Sequence, residues 1–439
     1  EPTGVRVVAP WAFLPSGWAP DVLLEIAPDG TLLDVRPGFA ARDAEVLDGP
    51  VVPGMPNLHS HAFQRARAGF AERRGGGDRD DFWSWRETIY AFAAQIEPET
   101  LFALARDVYR AMLLAGYTAV AEFHYLHRAP DGTWYADKPA MSLALVAAAK
   151  AAGIGICLLP ALYAHSDAGG APLLAQQRRF AAGVDDVLEI ANAVRAAYAH
   201  DPDVVVGACA HSLRAVTPGE LRALVDGAPS GVPIHLHVAE QQREVEAVQA
   251  ELGARPVAWL LAEHAVDARW CLVHATHLDD AERDALARSG AVAGLCPTTE
   301  ANLGDGLFPL GPYLAAGGAL GIGSDSNVSI APVEELRWLE YGQRLVTQRR
   351  LIAATEPGSS AGETLYARAA AGGARACGFE AGAFVPGRRA DLIVLDRHPL
   401  LADVDPGTVL DRYVFATDRA APRHVMVRGR WRVRDGTLA

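Results

Sequence analysis

The chain has 439 residues, 50% of them hydrophobic, and a formal net charge of −13. That length exceeds one ordinary domain but suits a (β/α)8 barrel with a small accessory unit. The negative balance argues against nonspecific nucleic-acid binding and against an anionic membrane as partner, yet allows a local basic pocket for an acidic small molecule.

In chain order, residues 1–50 read as short strands and turns, with a hairpin expected from residues 21–26 through the turn Pro28-Asp29-Gly30 to residues 31–35. Apolar strand-like runs follow at 51–58, 119–124, 154–162, 204–211, 233–238, 270–274, 291–296 and 319–324. Between them, residues 99–115, 185–199, 240–251, 279–289 and 333–348 carry the 3.6 period of amphipathic helices. Eight runs with crossover helices predict a parallel (β/α)8 TIM barrel. The Gly-rich charged stretch 73–81 lacks the spacing of a phosphate cradle and is expected as a loop after the first strand, open to use as a lid. Residues 390–396 and 424–434 again read as strands. Neither end is long enough to fold alone, so residues 1–50 and 381–439 are expected to build one small β-sandwich, with 51–380 as the barrel.

Cys157, Cys209, Cys271, Cys296 and Cys377 make no C-x-x-C pair, and four of them lie in apolar strand-like runs, as core residues of a reduced compartment do. The longest apolar stretch, around 141–164, is broken by Lys150, Gly153, Gly155 and Pro160. No charged-then-apolar leader is evident, so a cytoplasmic protein without a membrane span is expected. A homodimer is left open.

The chemistry sits at the strand ends, because side chains there converge at one face of a barrel. The first strand ends in His59-x-His61, whose imidazoles point the same way by the period of two. The fourth ends in His211 with Arg214 close behind, the fifth in His235-x-His237 with Glu240, the sixth in His274 and the eighth in Asp325. One strand-end histidine is commonly structural; so many at one face point to a metal-dependent site.

These residues and their placement resemble the amidohydrolase superfamily. The resemblance implies His59, His61, His237 and Asp325 as metal ligands, and places His235 in the barrel interior. It also implies that a second metal would need a carboxylated lysine at the end of strand four. Lys138 and Lys150, the chain's two lysines, lie elsewhere, so one divalent metal per chain is expected. Three imidazoles and a carboxylate suit Zn2+, and Fe2+ also fits. The His237-x-x-Glu240 spacing is similar to the deaminase branch, in which a carboxyl beside the metal protonates the departing nitrogen. Residues 53–64, 82–86, 121–125, 296–306 and 334–341 resemble the formiminoglutamate deiminases within that branch. A linear formimino dicarboxylate of histidine degradation is the implied substrate, with a nucleobase or triazine ring as the alternative. By the same resemblance Gln64, Arg86, Tyr125, His211 and Arg214 contact the substrate, while Glu240, His274 and Asp325 are catalytic. The alternative readings are a cation stacked on Trp83 or Trp85 for Arg86, and a surface residue at a helix start for Arg214. Asn327, just past Asp325, has no role the sequence assigns.

Overall fold

The structure is a computed structural model that describes residues 4–39, 43–70, 72, 81–395, 400–401, 405–417 and 422–439. Eight parallel strands form the barrel: Met55–Ser60, Tyr117–His124, Gly155–Leu162, Ala208–Ser212, Ile234–Val238, Trp270–His274, Val292–Leu295 and Ala319–Ile322. Their near-continuous burial is what a sheet covered by helices demands. The expected helices form at Pro98–Ala115, Val184–Ala197, Gln242–Leu252, Asp280–Ser289 and Pro332–Thr347. Pro98–Ala115 shows why. A proline opens it, Leu101, Ala105, Val108, Tyr109, Met112 and Leu113 form one buried stripe, and Gly116 at φ 102° ends it.

Two runs divide where the sequence suggested one strand. Val51–Pro53 pairs antiparallel with Leu392–Val394, and only Met55–Ser60 enters the barrel. The switch falls at Gly54, whose N–H bonds Asp391 and where a Cβ would lie 2.5 Å from Thr118. Likewise Val204–Val206 and Ala208–Ser212 are separate strands beside Gly155–Leu162.

Both termini meet in the small, mainly antiparallel β-sandwich, whose strands run as one hydrogen-bonded sheet. Its long first hairpin, Val5–Leu14 on Gly17–Ile26, was not foreseen as such; the expected hairpin partner is Leu32–Arg36. Gly30 turns the corner at φ +85°, where a Cβ would meet the Arg428 carbonyl at 2.3 Å. The sandwich buries its own core of Val7, Val22, Leu24, Leu392 and Met426. All five cysteines are buried and free. Among the described residues no helix is long and apolar enough to cross a membrane. Residues 73–80 of the loop considered as a lid lie outside the described residues.

Candidate active site

The barrel closes through its eighth strand. Asp325 donates its N–H to the His59 carbonyl at 2.9 Å and accepts from the His61 N–H at 2.9 Å. Gly323 permits the approach, because a Cβ there would lie 2.8 Å from His59. Asn327 then locks the seam. Its Nδ2 donates to Ser60 Oγ and to the carbonyls of His61 and Asp325, while its Oδ1 accepts from Ser324 Oγ at 2.7 Å. Asn57 donates to Ser324 Oγ from the first strand at 2.6 Å. Ala239, His274, Ala275, Asp325 and Asn327 all adopt positive φ between 45° and 69°. Such backbone is costly for residues with a Cβ, and it gathers here at the strand ends.

Three buried imidazoles converge inside this frame. His237 Nε2 lies 3.0 Å from His59 Nε2 and 3.3 Å from His61 Nε2. Asp325 Oδ1 stands 3.5 Å from His59 Nε2 and 3.4 Å from His61 Nε2. His61 and His237 each donate their Nδ1 proton to a carbonyl, of Phe123 at 2.7 Å and of His211 at 2.8 Å. Both rings are held neutral, since burial pushes their pKa down. Two bare Nε2 lone pairs therefore face each other with no proton between them. A tetrahedral metal with bonds near 2.0–2.1 Å would set its nitrogen ligands about 3.3 Å apart. The donor set fits a divalent metal, held by carbonyl-oriented rings as ligating histidines commonly are.

Beside this nest, Glu240 Oε1 lies 3.6 Å from His274 Nε2, and Asp325 Oδ2 lies 3.8 Å from the same nitrogen. His274 Nδ1 donates to Glu300 Oε1 at 3.2 Å. Burial works against charge on the ring, but Glu240, Glu300 and Asp325 together hold its proton on well above the ordinary value. Burial lifts the Glu240 carboxyl to about 7, near neutrality, with His274 opposing. Burial raises Asp325 too, but its hydrogen bond to His59 and the surrounding rings win and hold it well below the usual range. Glu240 lies just before the helix that starts at Gln242.

The opposite wall is made of donors. Helix Phe82–Ala93 presents Phe82, Arg86, Ile89 and Tyr90 to the cavity at helical spacing. Asp81 caps its start, and the buried Arg179 binds the Ala93 carbonyl at its end. Arg86 stacks over Trp83 with its guanidinium 4.6 Å from the ring centre, so the cation–π reading holds. It also lines the cavity, with Nε and Nη1 buried and unpartnered. Arg214 is only 4% exposed, contrary to the surface alternative. Its Nε faces Glu244 at 3.7 Å without a hydrogen bond. Gln64 donates to the Tyr125 hydroxyl at 3.0 Å, and Gln64, Tyr125 and His211 line the same cavity.

The structure thus brings every residue singled out for the site into one cavity or its floor. His235 points elsewhere, bonding Ala376 through Nε2 at 2.8 Å. Both lysines are remote, with Lys138 on Asp186 and Glu189 and Lys150 on Asp201. Sequence reasoning missed Tyr90, Tyr163, Glu300 and Glu244. Tyr90 sits four residues after Arg86, and Tyr163 follows the third strand, so the helical period and the strand-end rule could have found both. Glu300 and Glu244 lie in helices and carried no such signal.

The chain matches the amidohydrolase family over residues 51–432, and it belongs to that family. The formimidoylglutamate deiminase of Pseudomonas aeruginosa is 52% identical over 99% of this chain and 95% of its own length. A 5-methylthioadenosine/S-adenosylhomocysteine deaminase of Natronomonas pharaonis is 28% identical over 94% of this chain and 88% of its own. Among solved structures, an amidohydrolase from Brucella melitensis superposes with a TM-score of 0.94 at 45% identity, covering 99% of this chain and 96% of that one.

Proposed function

We propose that this protein hydrolyses the C=N bond of N-formimino-L-glutamate, giving N-formyl-L-glutamate and ammonia, in histidine degradation. The observation that carries it is the polarity of the cavity. Acceptors and carboxylates crowd the floor, and on the wall stand Arg86 and Arg214, whose buried N–H groups lack hydrogen-bond acceptors. A substrate with an amidinium head and a dicarboxylate tail matches both. The 52% identity to a formimidoylglutamate deiminase supports the same substrate.

His59, His61, His237 and Asp325 would hold one divalent metal, with Zn2+ favoured by three imidazoles and one carboxylate. When bound, the metal supplies the Lewis acidity that makes water a nucleophile at neutral pH. Ionised Glu240 pairs with the amidinium and orients it. Asp325 accepts a proton from the attacking water through Oδ2, the oxygen that faces His274. Protonated His274, steadied by Glu300, donates a hydrogen bond to the oxygen that becomes the formyl carbonyl. Glu240 then takes the hydroxyl proton of the tetrahedral intermediate and passes it to the departing nitrogen, so that the C–N bond breaks with loss of ammonia as the formyl C=O forms; a carboxyl titrating near neutrality does this well. Arg86, Arg214, Gln64, Tyr125 and His211 bind the two carboxylates, Arg being suited to a bidentate grip.

The test is ammonia release from formiminoglutamate, set against adenosine, guanine and an aminotriazine. Turnover of the linear amidine alone is expected. Release from a ring substrate, with none from formiminoglutamate, would move the protein to the ring deaminases of the family.

A further inference from the structure

Behind the donor wall lies a small buried network that the chemistry above does not use. Gln177 ends the short turn Ala175–Gln177 and is fully buried. Its Oε1 accepts the Leu174 N–H at 2.9 Å, which fixes the orientation of the amide. Nε2 then lies 2.9 Å from the Tyr163 hydroxyl and 3.3 Å from the Tyr90 hydroxyl, and the two hydroxyls are 3.3 Å apart.

The proton count is decisive. An amide NH2 only donates, so both phenol oxygens are its acceptors. Two phenolic hydrogens remain. One can lie between the two oxygens, but the other has no acceptor in the triangle. Both tyrosines line the cavity beside Arg86, Arg214 and His211. Tyr163 is 2% exposed, so a hydrogen left without a partner there is costly. Burial raises its pKa, so the phenol keeps its proton across any working pH.

We infer that Gln177 is a positioning residue that turns the Tyr90–Tyr163 pair into a hydrogen-bond donor for a substrate carboxylate, and that these tyrosines help set specificity for an acidic substrate. The inference rests on the dicarboxylate reading of this site. The arginines supply charge and reach. The phenols supply a short neutral donor of fixed direction, which a longer or uncharged tail would leave unpaired.

The test uses metal-loaded protein with Tyr90→Phe/Tyr163→Phe, Gln177→Met and the triple variant. Turnover is followed on formiminoglutamate and on neutral N-butylformamidine, and glutarate binding is followed by calorimetry. The phenylalanine pair should raise KM for formiminoglutamate and weaken glutarate binding by roughly 10- to 100-fold, as loss of a hydrogen bond to a charged group does. The kcat should stay within about threefold, and so should the neutral amidine's kcat/KM. Gln177→Met should raise KM by roughly 5- to 10-fold alone and add nothing in the triple variant, because it acts through the phenols. Equal losses on charged and neutral amidines, or a full extra loss in the triple variant, would overturn the inference. Two outcomes separate it from the substrate reading. Wild-type protein that ignores formiminoglutamate, yet binds glutarate in a tyrosine-dependent way, would sink that reading and keep the donors. Normal wild-type turnover with an unaffected phenylalanine pair would sink the donors alone. Failure of wild-type protein both to bind glutarate and to turn over formiminoglutamate would sink both.

Discussion

The two ends of the cavity are built on opposite electrostatic plans. At the floor, lone pairs and carboxylates face one another: His61 and His237 at 3.3 Å, Asp325 3.4 Å from His61, and Glu240 close by. At the far wall, Arg86 and Arg214 carry buried N–H groups without acceptors. Each end is unfavourable alone, since buried polar groups without partners cost folding energy. The difference matches the occupants of opposite sign proposed above, a cation at the floor and an anion at the wall. A nonpolar or uniformly charged ligand would leave one end unsatisfied.

Emptying the floor should have the largest effect. His61→Ala should abolish tight metal binding, and it or removal of metal by a chelator should bring turnover to background. Elemental analysis of the wild-type protein should show one metal per chain; two tightly bound metals would break the picture. The chelated protein should also melt lower, because a metal that binds only the folded state stabilises it.

Next comes the carboxyl between the two ends. Glu240→Gln is nearly isosteric and should keep fold and metal, yet lose roughly 10²–10⁴-fold in kcat because an amide cannot carry the proton. A variant that kept more than about a tenth of wild-type kcat would remove Glu240 from the proton path.

The wall is tested by Arg214→Met, which keeps much of the aliphatic stem and removes the charge. Truncating one side of a buried charge pair costs on the order of 2–5 kcal/mol, or roughly 30- to several thousand-fold in kcat/KM for formiminoglutamate. The neutral formamidine should lose little. Equal losses on both substrates at unchanged Tm would take Arg214 out of the carboxylate contact.

The smallest effect is a control away from both ends. Burial lowers His127 from 6.5 to about 4, its Nε2 donating to the Ala161 carbonyl at 2.9 Å. The folded pKa lies below the unfolded one, so the unfolded chain takes up the proton first. Stability is then intact above pH 6.5 and is lost as pH falls towards about 4. His127→Gln retains a donor but cannot titrate. Its unfolding free energy, from urea titrations, should fall less than the wild type's between pH 7 and pH 5, by roughly 2 kcal/mol. Parallel curves would show that this ring does not stay neutral when buried.

Much of this was legible before any coordinates. The barrel followed from eight apolar runs alternating with helical periods, because each period reports which face a residue buries. His59 and His61 followed from the period of two, and His237, His274 and Asp325 from the rule that strand ends converge. The net charge argued against nonspecific nucleic-acid binding, and the placement of two lysines, set against the family resemblance, gave the expectation of one metal. Tertiary structure decided what no local pattern encodes. The break at Gly54 depends on Asp391 and Thr118, both distant in sequence. Asn327 gains its role only where strand eight meets strand one. Gln177 shows no sign of function in its own segment, since its partner Tyr90 lies 87 residues away. Periodicity records burial along one element; hydrogen-bond direction between elements exists only once the chain has closed on itself.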